Sequence, residues 1–219
     1  MLRRSGTRVG RAAFIALALV LVSGACRAES VLENVFASMT LDGKKIGQIH
    51  FVLKSAPTGE IQELRTNASV SVFGIKVYNF AQHLHEVWSN DEMESLQSTA
   101  DDNGTEEKVT VKRAAGAYTA TRNGKPVDLP ADAFPDSIWH YQIGEKKLLF
   151  NSVDLKLLKV SVKRSDETIT HHGEKVHAHR LDFTGDWKAT LWFGDNKRLL
   201  QAHRYINDRE IVITVDKDS

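Results

Sequence analysis

Residues 75–113 read IKVYNFAQHLHEVWSNDEMESLQSTADDNGTEEKVTVKR, and their periodicity decides the fold class. From Ile75 to Trp88 the side chains alternate between two faces, as the period of two in an extended strand requires. Tyr78, Phe80, Leu84 and Trp88 share one face with Gln82 and Glu86. Ile75, Val77, Ala81 and Val87 share the other with Asn79, His83 and His85. Both faces are partly apolar, and a strand this long must bend or carry a bulge, as strands in curved sheets do. Ser89-Asn90-Asp91-Glu92 turns the chain and Met93–Thr99 runs back. Asp101-Asp102-Asn103-Gly104 turns it again, and Val109–Val111 pairs back.

The same grammar extends outward. Asp42-Gly43 separates Val35–Leu41 from Ile46–Leu53 and predicts a hairpin; Gly74 predicts a tight turn or bulge; Asn123-Gly124 continues the meander. Residues 126–140 differ, because Pro126, Pro130 and Pro135 lack the N–H that a strand ladder needs, so they predict a loop or lid. Within it, Asp136-Ser137 is placed to cap a short helical turn carrying Ile138 and Trp139. Four strand-like runs close the chain: Lys175–Phe183, Trp187–Phe193, Arg198–Ile206 and Ile211–Val215. The expected fold is all-β, or β with one short helix. It would be a curved antiparallel sheet or half-open barrel, formed by one domain over residues 29–219.

Residues 1–28 read as a signal peptide. Arg3, Arg4, Arg8 and Arg11 precede the apolar run Ala12–Val22, which is too short to span a bilayer, and small residues follow it. The expected location is therefore periplasmic or secreted. Cleavage after Ala28 would remove Cys26, the sole cysteine, and with it any disulfide or thiol chemistry. Cleavage before Cys26 would instead leave an acylated lipoprotein. The leader carries five arginines and no acid, so the remaining chain has 24 basic against 28 acidic residues. That balance argues against nucleic acid, which needs a basic footprint. No later apolar run is long enough to cross a membrane as a helix.

Motifs for chemistry are sparse. Glu86 lies on an apolar face, where burial disfavours its ionised form and suits an acid or base; a structural glutamate paired across the sheet is the plainer account. His83/His85 and His177/His179 are His-x-His pairs whose side chains share one side of a strand and could grip a metal, with His171, His172 or His203 adding ligands. Surface histidines explain them as simply, so no metal site is assigned. Asn103-Gly104-Thr105 and the neighbouring Asp101 and Asp102 read as turn chemistry. No GxSxG, GxGxxG or Walker loop occurs, so neither a catalytic residue nor a cofactor is assigned.

Asp42-Gly43, Ile46-Gly47, His85-Glu86-Val87-Trp88, Leu96, Thr99, Asp102-Asn103-Gly104 and Leu191-Trp192-Phe193 together resemble a family of bacterial exported proteins known only as a domain of unknown function. The resemblance implies an all-β domain of this size with no established activity. More distantly, the layout looks like the half-barrel carriers of bacterial lipoprotein localisation, which wrap a sheet around acyl chains.

The expected function is binding of a hydrophobic or lipid-like ligand in the envelope, held by apolar area rather than by a motif. Its candidate lining is Tyr78, Phe80, Leu84, Glu86, Trp88, Trp139 and Trp192. The rivals are an interaction module without a pocket, and a metal-binding or small hydrolytic protein using the His pairs or Glu86. Metabolic labelling with a clickable fatty acid checks the leader: cleavage after Ala28 yields a mature protein without label, and a labelled one would place the cut before Cys26.

Overall fold

The computed structural model describes residues 29–206 and 209–216; the leader, with Cys26, lies outside the described residues. The first arm comprises β1 (Ser30–Leu41), β2 (Lys44–Ala56), β3 (Gly59–Val72), β4 (Ile75–Ser89), β5 (Glu92–Asp102), β6 (Thr105–Ala114), β7 (Ala117–Arg122) and β8 (Lys125–Val127). The second comprises β9 (Phe134–Pro135), β10 (Leu148–Phe150), β11 (Leu157–His171), β12 (Glu174–Gly185), β13 (Ala189–Phe193), β14 (Leu199–Ile206) and β15 (Arg209–Val215). They form one open sheet in the order β8-β7-β6-β5-β4-β3-β2-β1-β15-β14-β13-β12-β11-β10-β9. Each arm is an antiparallel meander apart from the parallel β9–β10 pair, and the arms join where β1 pairs antiparallel with β15. The expected all-β, open, curved sheet is the observed one.

Tight turns dictate this order. At Asp42-Gly43, Phe73-Gly74, Asn90-Asp91, Asn103-Gly104, Ala115-Gly116, Asn123-Gly124 and His172-Gly173 both central residues have positive φ. That geometry matches the twist of a two-residue hairpin, so each turn returns the chain beside the strand it left.

The structure departs from the sequence reading in the linker. The short helix is a 3-10 turn at Tyr141–Glu145, not at Ile138–Trp139. Asp136 does not cap it: its carboxylate accepts from the Ser152 backbone N–H at 3.0 Å and the Asn151 amide at 3.3 Å. The reason is that β9 pairs in parallel with β10, which holds residue 136 beside residues 150–152. The proline-rich stretch contains two short strands.

Residues 128–158 cross the interior between the arms. Phe134, Ile138, Ile143, Leu149, Phe150 and Leu155 join Ile49, Leu84, Trp88, Leu96 and Val111 of the first arm and Leu181, Leu191, Phe193 and Ile213 of the second in one core cluster. Cross-strand register puts those strand residues on a common inner face. Gly47 allows β2 to approach β3: a Cβ there would stand 2.0 Å from the Asn67 carbonyl oxygen. Gly47→Ala is expected to cost about 1–3 kcal/mol of stability through the backbone shift it forces, measured as a lower urea midpoint.

Candidate functional site

β4 carries Leu84, Glu86 and Trp88 into the interior, where all three are buried. His83 and His85 point to the opposite face, and the register shifts along β4 fall at Val77 and, opposite the extra residue Glu94 of β5, at Val87/Trp88, not between His85 and Glu86. The histidines and Glu86 therefore form no joint site.

Glu86 is completely buried. One carboxylate oxygen accepts from the Trp88 indole N–H at 3.0 Å, and the Ser137 hydroxyl lies near enough to the carboxyl to favour its ionised form. The other oxygen, Oε1, has no hydrogen-bond partner. Burial, reinforced by the nearby Asp136 carboxylate, pushes the Glu86 pKa up to about 7 against the weaker pull of the Trp88 and Ser137 hydrogen bonds. Burial also raises Asp136, opposed by the Arg204 guanidinium. Gln82 bridges the strands and the crossing segment, donating to Ser98 at 3.0 Å and Ser152 at 3.2 Å.

His140 packs on Trp88 with ring centroids 3.7 Å apart and meets the Gln62 amide through Nε2. Burial drives its pKa down to about 3, so the ring is neutral. A neutral His and a carboxyl poised near 7 are the usual ingredients of acid–base chemistry. Here they contact the chain's own crossing segment, and neither surface cleft described below includes them.

The structure brings together only part of the candidate lining. Leu84, Glu86 and Trp88 face Phe134, Ser137 and His140, and Phe80 packs at the margin of the same core. Trp139 stacks on Phe51 at 4.2 Å, leaving its indole N–H without a partner. Tyr78 is exposed and donates to Asp102 at 2.7 Å, with its own pKa raised to about 12 by burial of the ring and that hydrogen bond. Trp192 lies on the outer face, opposite to Leu191, where Arg180 covers it and Glu167 accepts its indole N–H at 2.5 Å. Ser137, His140, Gln62 and Ser152 are missed from sequence, because no local signal says that a proline-rich linker crosses the interior.

Two clefts open outside the core. One, of 610 Å³, crosses β3 to β6 and has a polar lining that includes Arg65, His83, Thr99, Asp101, Glu106 and Lys108. The other, of 570 Å³, sets Leu157 of β11 against Tyr118, Ala120, Val127, Leu129 and Pro130, near the unjoined ends of the sheet. Among the described residues, no helix is long and apolar enough to cross a membrane.

The β3–β4 hairpin is the outstanding surface feature. The last β2–β3 pair is Gly47 with Ala68, and the last β4–β5 pair is Phe80 with Asp102. Ser69–Val72 and Ile75–Asn79 therefore form a two-stranded finger beyond its neighbours' ladders. Val72, Phe73, Ile75, Val77 and Tyr78 are exposed, Phe73 completely. Lys76 is the only charged residue from Ser69 to Asn79.

Over residues 38–215 the chain matches the family described as a domain of unknown function (DUF6134), and it belongs to that family. Its fold is similar to that of the crystal structure of a beta-barrel-like protein of domain of unknown function DUF1849 from Brucella abortus. The TM-score is 0.60 at 10% sequence identity, over 84% of this chain and 95% of that one. No curated protein matches the chain.

Glu86 makes stability depend on pH. Its folded pKa, about 7, stands above its ordinary 4.5, so between these values the native state holds a proton that the unfolded chain has released. The stabilisation is complete below pH 4.5 and is lost as pH rises through 7. His140 works oppositely: its folded value of about 3 lies below its ordinary 6.5, so its contribution is complete above 6.5 and is lost as pH falls toward 3. Glu86→Gln removes the first effect alone. Relative to wild type, the variant is expected to gain about 3 kcal/mol between pH 4 and pH 8, read from urea unfolding across that range.

Proposed function

We propose that the protein is a non-catalytic interaction module of the bacterial envelope that engages a lipid surface through the β3–β4 finger. The observation that carries this reading is Phe73. It occupies a positive-φ turn position (φ 50), where a bulky side chain is strained, and its ring is fully in water. Among the described residues, the other six turns of this kind place Asp, Asn, Ala or His there. Folding alone gives no reason to hold a phenylalanine in that position.

Hydrocarbon is the environment that suits this tip. Apolar residues stand on both sides of the ribbon, so a groove gripping one side would leave the other wet. Lys76 can extend toward headgroups, and Tyr78, with its ring apolar and its hydroxyl bonded, stands at the base where an interface would lie. The basic, apolar and small-residue order of the leader supports placement in the envelope. The interior speaks for a module without a pocket, since side chains of residues 128–158 occupy the concave face.

Co-sedimentation with phosphatidylethanolamine–phosphatidylglycerol vesicles tests the proposal. Wild-type protein is expected to sediment with the vesicles, and Phe73→Asn to remain in solution. The same substitution is expected to raise the thermal midpoint by roughly 2–4 °C, because Asn adopts this turn conformation more readily. Wild-type protein that stays in the supernatant, or a variant that binds equally, would overturn the reading.

A further inference from the structure

We infer that His177, His179 and Asp195 form a binding site for a divalent transition metal of the Zn²⁺ class, independent of the proposed lipid contact. Their ligand atoms all lie within 4.8 Å of one another, and they are the one such His/Cys/Asp/Glu group among the described residues.

Three elements build the site. β12 puts His177 and His179 on the same side, since residues two apart on a strand share a face. The β13–β14 loop brings Asp195 to them. This loop is fixed by the Gly194 N–H on the Arg198 carbonyl at 2.9 Å and the Lys197 N–H on the Gly194 carbonyl at 2.8 Å. β11 supplies Asp166, directly opposite His179 in the ladder.

Asp166 gives the cluster the chemistry of a metal site. The His179 Nδ1–H donates to its carboxylate at 2.6 Å. That bond leaves the lone pair on Nε2, which lies 4.0 Å from Asp195 Oδ1. A carboxylate behind a ligating imidazole fixes its tautomer and raises its basicity. His177 Nδ1 lies 2.6 Å from the same Asp195 oxygen, sharing a proton that a metal ion would replace. Zinc bonds of about 2.0–2.1 Å to N and O place neighbouring ligand atoms roughly 3.3 Å apart, so small rotations of these part-exposed side chains suffice. Two carboxylates, Asp195 in contact and Asp166 behind, would balance the divalent charge, and solvent would complete the coordination.

The other His-x-His pair provides the contrast. His83 and His85 face Arg65 and Glu63 on β3, and Glu63 is engaged by Lys54 at 2.7 Å. His203 is bonded to Glu210 and His172 to the Val215 carbonyl, so neither belongs to the cluster.

Isothermal titration of tag-free protein with ZnCl₂ tests the inference. One saturable site per chain is expected, lost in His177→Ala/His179→Ala and unchanged in His83→Ala/His85→Ala. Asp166→Asn is expected to weaken binding about 10–100-fold. Metal-free melting curves matching wild type would confirm that the variants are folded, and Asp195→Asn provides a second test of the ligand set. No saturable binding by wild type, or binding retained in folded His177→Ala/His179→Ala protein, would overturn the inference.

Discussion

A curved sheet with one apolar face cannot stand alone, because that face must leave water. In this protein the cover comes from the chain itself. Trp88 meets Phe134 at 5.2 Å, Phe51 stacks on Trp139 at 4.2 Å, and Tyr141 meets Phe193 at 5.2 Å. These contacts tie the crossing segment to both meanders. Each large side chain so buried contributes about 1.5–3 kcal/mol relative to exposure. With its interior filled in this way, the sheet need not close: its end strands, β8 and β9, are only three and two residues long and each contains a proline. Short, proline-bearing edges are poor templates for further pairing.

The crossing segment also introduces polar groups. Asp136, Ser137 and His140 enter the core beside Glu86; His140 meets Gln62 of β3 and Ser152 accepts from Gln82 of β4, while Asp136 is held within the segment by Asn151 and Ser152. Burial moves Glu86 and His140 toward their neutral forms, which avoids the larger penalty of bare buried charges. Their pH dependences oppose one another over the mildly acidic range. The buried carboxyl that looks most like a catalyst is thus better explained as part of the joint between linker and sheet.

Functional potential lies at the periphery. The finger extends beyond the ladder, so the side chains of its tip, from Val72 to Val77, are exposed, and only Tyr78 at its base is held by the neighbouring strand, through Asp102. The His177–His179–Asp195 cluster sits near the end of β13, where three elements converge and His179 lies 5.8 Å from Tyr141. Both are places where packing no longer dictates residue choice, and both hold residues that packing does not explain.

The amino-acid sequence by itself determined most of the long strands, several of the hairpin turns and the direction in which Glu86 and Trp88 point. These depend on alternation along one strand and on backbone conformations that Asn, Asp and Gly favour, which are local properties. It did not reveal the destination of residues 128–158, the position of the 3-10 turn, the outward placement of Trp192, or the convergence of Asp166 and Asp195 on His179. Those are contacts between residues distant in the chain, and no local periodicity encodes which face will be covered, or by what. Residues 75–113 illustrate the division: their alternation separates Glu86 from the two histidines, but only the folded chain places Ser137 and His140 against that strand and leaves the preceding turn, with Phe73, standing in water.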